Sequence, residues 1–374
     1  MQHNIQSATR DTVMRKHFFI SLLLFISVTC SYGSIFIPFN QKNINYMGRV
    51  EQVGNQYAKI FWPGTSVTIN FKGTEIKAIL KNGNEPAYFY AIVDGNEQEA
   101  LKFKADTLQS SIVLATGLIN TSHTVQLFKL SNNTSYTCFY GFELGDGSSV
   151  LPPNAPLKRK IEFYGNSITA GHGVDVLPGQ QDSGNPEYFN NYLTYAARTA
   201  RHFNAQYSCI SRSGIGVMVS WFPIIMPEMY DRLNPEDASS KWDFKAYTPD
   251  VVVINLFQND MWLTANFNHP QFKARFGTTP PDTTTIIQSY RNFVKSIRAQ
   301  YPEATIICAL GSMNATQKGS PWPGYIETAV KGMSDSKILT HFFPYKDTPG
   351  HPKAAEQKVM ADDLIVFIDK NIKW

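Results

Sequence analysis

Serine, histidine, asparagine and glycine recur in this chain at points where a strand gives way to a loop, and together they can carry out acyl transfer. The stretch Lys160-Ile161-Glu162-Phe163-Tyr164-Gly165-Asn166-Ser167-Ile168-Thr169-Ala170-Gly171 reads as a strand over Ile161–Tyr164, a tight turn and a helix start. Gly165 lets the backbone bend sharply. Ser167 then falls beside free backbone N–H groups at the carboxyl edge of a sheet, where open α/β folds place their ligands. A serine there suits a nucleophile, which needs a base, an oxyanion site and a group that orients the base.

Four histidines could serve as base. His172 lies on the same local segment as Ser167, His202 ends a helix, and His341 ends a strand. His351 follows the turn Thr348-Pro349-Gly350 and precedes Pro352, which suits the first turn of a helix. A loop histidine at the end of a sheet is well placed for a site, and His351 is the expected base. Two more loops leave strand ends, Ser211-Arg212-Ser213-Gly214-Ile215-Gly216 and Gln258-Asn259-Asp260. Gly214 can present its N–H and Asn259 its amide to an oxyanion, one such donor being worth about 3–4 kcal/mol of barrier. Taken singly, Gly214 also fits a plain turn and Asn259-Asp260 a helix cap. Trp262 and Trp322 fall on loops near the same edge, as sugar-stacking platforms or as packing.

These loops need an α/β scaffold, and the second half of the chain provides its pattern. Apolar runs at Ile161–Tyr164, Tyr207–Ile210, Val251–Leu256, Thr305–Leu310 and Ile338–Phe343 alternate with helical patterns at Asn191–Phe203, Thr283–Gln300 and Pro352–Asn371. The β-branched run Val251-Val252-Val253-Ile254 suits a strand covered on both faces. The series predicts a parallel sheet in a three-layer α/β domain over 157–374. Residues 34–151 show a period of two instead. Val67, Ile69 and Phe71 alternate with polar neighbours, and Asp94-Gly95 marks a hairpin. That predicts an antiparallel jelly-roll sandwich, either a structural companion or a functional one that contacts carbohydrate or forms one wall of a cleft. Leu151-Pro152-Pro153-Asn154-Ala155-Pro156 is a stiff linker between the two.

Residues 1–33 read as a signal peptide region. Met14-Arg15-Lys16-His17 is basic, and Phe18–Val28 is an apolar run too short to span a bilayer comfortably. Cleavage before Ser34 gives a soluble exported protein, periplasmic or secreted; Cys30 offers a lipid anchor instead. No later segment qualifies as a membrane span. Cys138, Cys209 and Cys308 remain, an odd number without zinc spacing; Cys209 and Cys308 lie in apolar runs and are expected as buried thiols, and a serine mechanism needs no metal or organic cofactor. A net charge of +4, from 34 basic and 30 acidic residues, marks no nucleic-acid partner.

The order Gly-Asn-Ser, then Gly, then Asn-Asp, then His-Pro resembles the SGNH (GDSL-type) hydrolases. With a sandwich in front, and with the phrases Arg159–Thr169 and Pro249–Leu256, the chain resembles carbohydrate esterase family 2. The resemblance implies removal of acetyl groups from plant polysaccharides such as xylan and glucomannan. It implies Ser167 as nucleophile and His351 as base. It implies the Ser167 N–H, the Gly214 N–H and the Asn259 amide as oxyanion donors, with Asp260 in support. Three positions depart from the pattern. Asn166 replaces the usual aspartate. Phe257-Gln258 replaces a common Gly-Thr, which predicts a reshaped pocket wall or acyl site. Thr348 stands where an aspartate precedes the histidine by three residues; Asp347, one place earlier, is then the expected orienting group, with a backbone carbonyl as the alternative. Two other functions fit the same residues: an SGNH lipase-like enzyme or thioesterase on another acyl ester, and a non-catalytic carbohydrate-binding protein.

Overall fold

The computed structural model describes residues 33–374 apart from Asn133 and Pro178. The basic–apolar leader and Cys30 lie outside the described residues. Two six-stranded antiparallel sheets come first. One runs Val50–Val53, Tyr57–Ile60, Thr137–Leu144, Ile76–Asn82 and Ser110–Ala115, with Ile35–Pro38 also on Thr137–Leu144. The other runs Ser149–Val150, Ser66–Gly73, Thr121–Lys129, Ala87–Val93 and Leu101–Ala105, with Asn45–Met47 also on Ser66–Gly73. The period of two has its cause here. Val67, Ile69 and Phe71 turn inward to meet Leu80, Phe89, Val125, Phe139 and Phe142, and Thr68 and Asn70 face outward.

A five-stranded parallel sheet follows. Its order is Ala205–Ser211, Arg159–Gly165, Val251–Asn255, Thr305–Leu310, Ile338–Phe342. The first of these strands in the chain therefore lies between the second and third, and successive connections leave its end in opposite directions. Crevices form at such a switch point, and Ser167 is placed there. All five residues of Val251–Asn255 are buried, as its β-branched run predicts. One face carries the helices Tyr195–His202 and Ala354–Asn371, the other Thr283–Gln300 and Trp322–Lys331. The apolar face Ile286, Tyr290, Phe293, Val294 and Ile297 is buried as its spacing requires.

The sandwich packs directly on the α/β region. Ile92, Phe128 and Leu130 join the core that holds Phe163, Tyr192 and Tyr207, and Trp62 donates from Nε1 to the Leu233 carbonyl at 2.8 Å. A buried ion pair crosses the same boundary. Arg49 lies 3.6 Å from Glu162, both side chains fully buried. Arg49 also donates to the carbonyls of Tyr230 (2.6 Å) and Arg232 (2.9 Å). Glu162 accepts from Tyr164, from Tyr301 at 2.8 Å and from Ser208 at 2.8 Å. With those lone pairs occupied the pair is well compensated, and removing one partner alone typically costs about 3–5 kcal/mol. Cys138, Cys209 and Cys308 are buried free thiols. Among the described residues no helix is long and apolar enough to cross a membrane.

Candidate active site

Gly165 is needed for space rather than for an unusual φ. A Cβ there would lie 2.0 Å from the Thr169 hydroxyl, which is itself held 2.8 Å from the Tyr195 hydroxyl. Asn166 caps the turn Ser167–Ala170 by accepting the Ile168 N–H at 3.0 Å. An amide oxygen caps as an aspartate would, so the departure from the usual acid keeps the local structure. Ser167 is thereby fixed at the start of the turn, 4% exposed.

The Ser167 Oγ lies 2.9 Å from His351 Nε2. The other ring nitrogen, Nδ1, lies 2.8 Å from Asp182 Oδ2, and the His351 backbone N–H donates to the same oxygen at 2.6 Å. A carboxylate only accepts, so Nδ1 carries the proton and Nε2 is free to accept from the serine hydroxyl. Lys353 Nζ holds the second oxygen, Oδ1. Burial alone would raise the Asp182 carboxyl; the hydrogen bonds from His351 and Lys353 outweigh it and hold the group well below the usual carboxylate range. Two glycines at positive φ make room for it: a Cβ on Gly350 would lie 2.8 Å from Oδ2, and one on Gly173 3.0 Å from Oδ1.

This corrects the expectation at Asp347. That residue is exposed on the loop before His351 and makes no hydrogen bond among the described residues. Thr348, where the usual aspartate would stand, donates its hydroxyl to Glu356 and accepts from Lys346 Nζ at 2.8 Å. It ties the loop to the last helix and leaves the carboxylate role to another segment.

His172 is not the serine's partner. It stacks on His351, centroids 4.1 Å apart and planes 24° from parallel, with its Nδ1 2.8 Å from the Ser213 hydroxyl. Burial, then the neighbouring His351, pushes it down to about 3, so it is neutral at ordinary pH. His172, Asp182 and His351 have ligand atoms within 4.8 Å of one another, the spacing of a metal site. Here those atoms already serve each other, Lys353 and Ser213.

The next two loops carry Gly214 and Asn259, the expected oxyanion donors. Gly214 has φ of +88°, a value a side chain rarely tolerates, and its carbonyl accepts the Trp221 N–H at 3.0 Å. Asn259, 2% exposed, gives one amide hydrogen to the Ile215 carbonyl at 2.8 Å, while its Oδ1 accepts from Trp221 Nε1 at 3.0 Å. The indole fixes which way the amide points, and the second N–H remains available. Asp260 is fully buried and accepts N–H bonds from Val217, Met218 and Val219. Burial pushes its carboxyl up to about 6, against those bonds. It anchors the loop that carries Gly214 and Ile215.

Two further expectations need correction. Phe257 has φ of +83°, which explains why a glycine suits this position. Its ring does not reshape a pocket wall; it is buried, 4.7 Å from Tyr290 and 5.0 Å from Trp322. Trp322 is in turn only 6% exposed, edge-on to Phe257 at the start of its helix, and offers no face to a sugar. Trp262 is half-buried against the core that includes Ile307 and Met313. Trp221, whose indole N–H meets Asn259, is by contrast an exposed aromatic (47%).

Comparison with known proteins assigns the arrangement. The profile described as carbohydrate esterase 2 N-terminal matches residues 46–153, and the GDSL-like lipase/acylhydrolase family profile matches 163–358. A family two carbohydrate esterase from Clostridium thermocellum, solved in complex with cellohexaose, is 33% identical, with a TM-score of 0.77 over 87% of this chain and 98% of that one. The chain belongs to carbohydrate esterase family 2. It is a carboxylic ester hydrolase of the GDSL type. Cellulase/esterase CelE of Acetivibrio thermocellus is 33% identical over 88% of this chain, which spans 40% of that relative's length. An acetylxylan esterase / glucomannan deacetylase of Cellvibrio japonicus is 22% identical over 90% of this chain and 91% of its own length. A family two esterase structure from that organism, 21% identical, shares the fold at a TM-score of 0.79 over 91% of this chain and 98% of its own.

Proposed function

We propose that the protein is a serine esterase that removes O-acetyl groups from plant polysaccharides of the xylan or glucomannan type. His351 Nε2 takes the Ser167 proton as Oγ attacks the acetyl carbonyl. The Ser167 N–H, the Gly214 N–H and the free Asn259 amide hydrogen bind the tetrahedral oxyanion. The imidazolium then protonates the departing sugar oxygen, which leaves as a hydroxyl. Water, activated by the same imidazole, hydrolyses the acetyl-serine and releases acetate. Asp182 holds the Nδ1 proton in place and offsets the imidazolium charge. The observation that carries this reading is the hydrogen-bonded line Ser167–His351–Asp182, 2.9 and 2.8 Å per link.

The acetyl group and the polysaccharide are inferred from the Cellvibrio japonicus relative, an acetylxylan esterase / glucomannan deacetylase. The chain is read as a signal region over 1–33, a sandwich domain over 34–151 and a hydrolase domain over 157–374, working outside the cytoplasm. A chain-length series of nitrophenyl esters tests the acyl group. Fastest turnover on acetate is expected, and fastest turnover on a long acyl chain would contradict the reading.

A further inference from the structure

The sandwich does more than support the α/β region: its loops form one wall of a cavity beside the base. The cavity, about 230 Å³, is lined by Glu85, Asn132 and Thr134 from the sandwich and by His172, Phe189 and Ser213 from the α/β region. Because His172 stacks on His351, the cavity begins one ring's thickness from the base.

The sandwich wall is a built surface. Lys129 is fully buried beneath it and donates to the carbonyls of Phe61 (2.6 Å) and Ser135 (2.9 Å). Ser131 Oγ accepts the Tyr88 N–H at 2.7 Å, Thr134 donates to Glu85, and Asn132 Oδ1 accepts the Ser213 N–H at 3.3 Å. Bonds of this kind fix side chains before any ligand arrives. Polar capacity is left over. The Asn132 amide hydrogens, one Glu85 carboxylate oxygen and the Ser131 hydroxyl hydrogen have no protein acceptor or donor among the described residues.

Donors and acceptors are thus interleaved, with Phe189 and two prolines (Pro86, Pro186) giving apolar patches. That chemistry matches a ring with hydroxyls around its edge and C–H groups on its faces. A long acyl chain would need continuous apolar walls, and an anionic group would meet the Glu85 carboxylate. We propose that this cavity is a subsite, supplied largely by the sandwich, for a neutral pyranose of the substrate next to the acetylated residue. It rests on the reading of Ser167 as an acetyl-esterase nucleophile.

The test compares kcat/KM on an acetylated xylo-oligosaccharide with kcat/KM on 4-nitrophenyl acetate, which has no sugar. In Glu85→Ala and in Asn132→Ala the ratio of the two should fall about tenfold. Unacetylated xylohexaose should also bind Ser167→Ala/Glu85→Ala more weakly than Ser167→Ala by calorimetry. Ratios within twofold of wild type in both single variants, with Ser167→Ala inactive on both substrates, would overturn the subsite alone. Full activity in Ser167→Ala would overturn the nucleophile on which it rests.

Discussion

Asp182 Oδ2 accepts both the Nδ1–H and the backbone N–H of His351, at 2.8 and 2.6 Å, across a sequence separation of 169 residues. On the proposed mechanism the orienting carboxylate thus comes from the loop that follows Ser167, not from the turn before the histidine. Replacing Asp182 with alanine or asparagine should lower kcat on an acetyl ester by on the order of 10²–10⁴, because the ring loses the partner that fixes its tautomer. Asp347→Ala should stay near wild type. Steady-state kinetics of the two variants side by side decide between the carboxylates; a large loss in the second alone would return the role to Asp347.

Trp221 and Asn259 act as one unit. Asn259→Ala removes a proposed oxyanion donor and should cost on the order of 10²–10³ in kcat. Trp221→Phe keeps the aromatic face but loses the indole N–H that turns the amide, so a smaller fall in kcat, about tenfold, is expected. Single-turnover rates with 4-nitrophenyl acetate would read both. A Trp221→Phe effect confined to KM would point to substrate stacking instead.

His172 contributes an acid sensitivity whose sign follows from its burial. Its folded value is depressed from 6.5 to about 3, so it stabilises fully above 6.5 and loses that contribution as pH falls toward 3, where the unfolded chain takes a proton that the folded one refuses. The limiting slope is about 1.4 kcal/mol per pH unit. His172→Phe keeps the stack and removes the titration. Its urea midpoint should therefore fall less than that of wild type between pH 6.5 and 4. Parallel curves would contradict the assignment.

Phe257 trades backbone strain for packing. A non-glycine residue at φ of +83° costs about 1–3 kcal/mol, whereas deleting a buried phenylalanine costs about 3–5 kcal/mol. Phe257→Gly should therefore lower Tm on balance despite relieving the backbone. A raised Tm in differential scanning calorimetry would show that strain dominates.

The legible part of this protein was periodic or local. Period two in Val67, Ile69 and Phe71 and the face of the Thr283–Gln300 helix each follow from which side of an element meets the core. Ser167 and His351, which the fold brings to 2.9 Å, were visible because each directly follows a strand or a turn signal. Asp182 was not, since its role depends on two glycines, Gly173 and Gly350, meeting around it from distant segments. The one available signal was the long polar stretch Gly179–Gly184 after the nucleophile, because long loops in compact folds are usually functional. Glu162 was hidden for a similar reason. In sequence it is one polar residue in a strand; only the fold brings Arg49, Tyr301 and Ser208 to it. Trp322 stayed open between stacking and packing because an aromatic at a loop–helix junction looks the same whether it faces a cleft or a core.

Acetate release from acetylated xylan and acetylated glucomannan by wild type and by Ser167→Ala, with folding of both checked by circular dichroism, tests the central claim. Wild type should release acetate from at least one of the two, and the variant should lose that activity by on the order of 10³-fold or more. Release that persists in folded Ser167→Ala, or its absence in wild type on both polymers, would contradict the account.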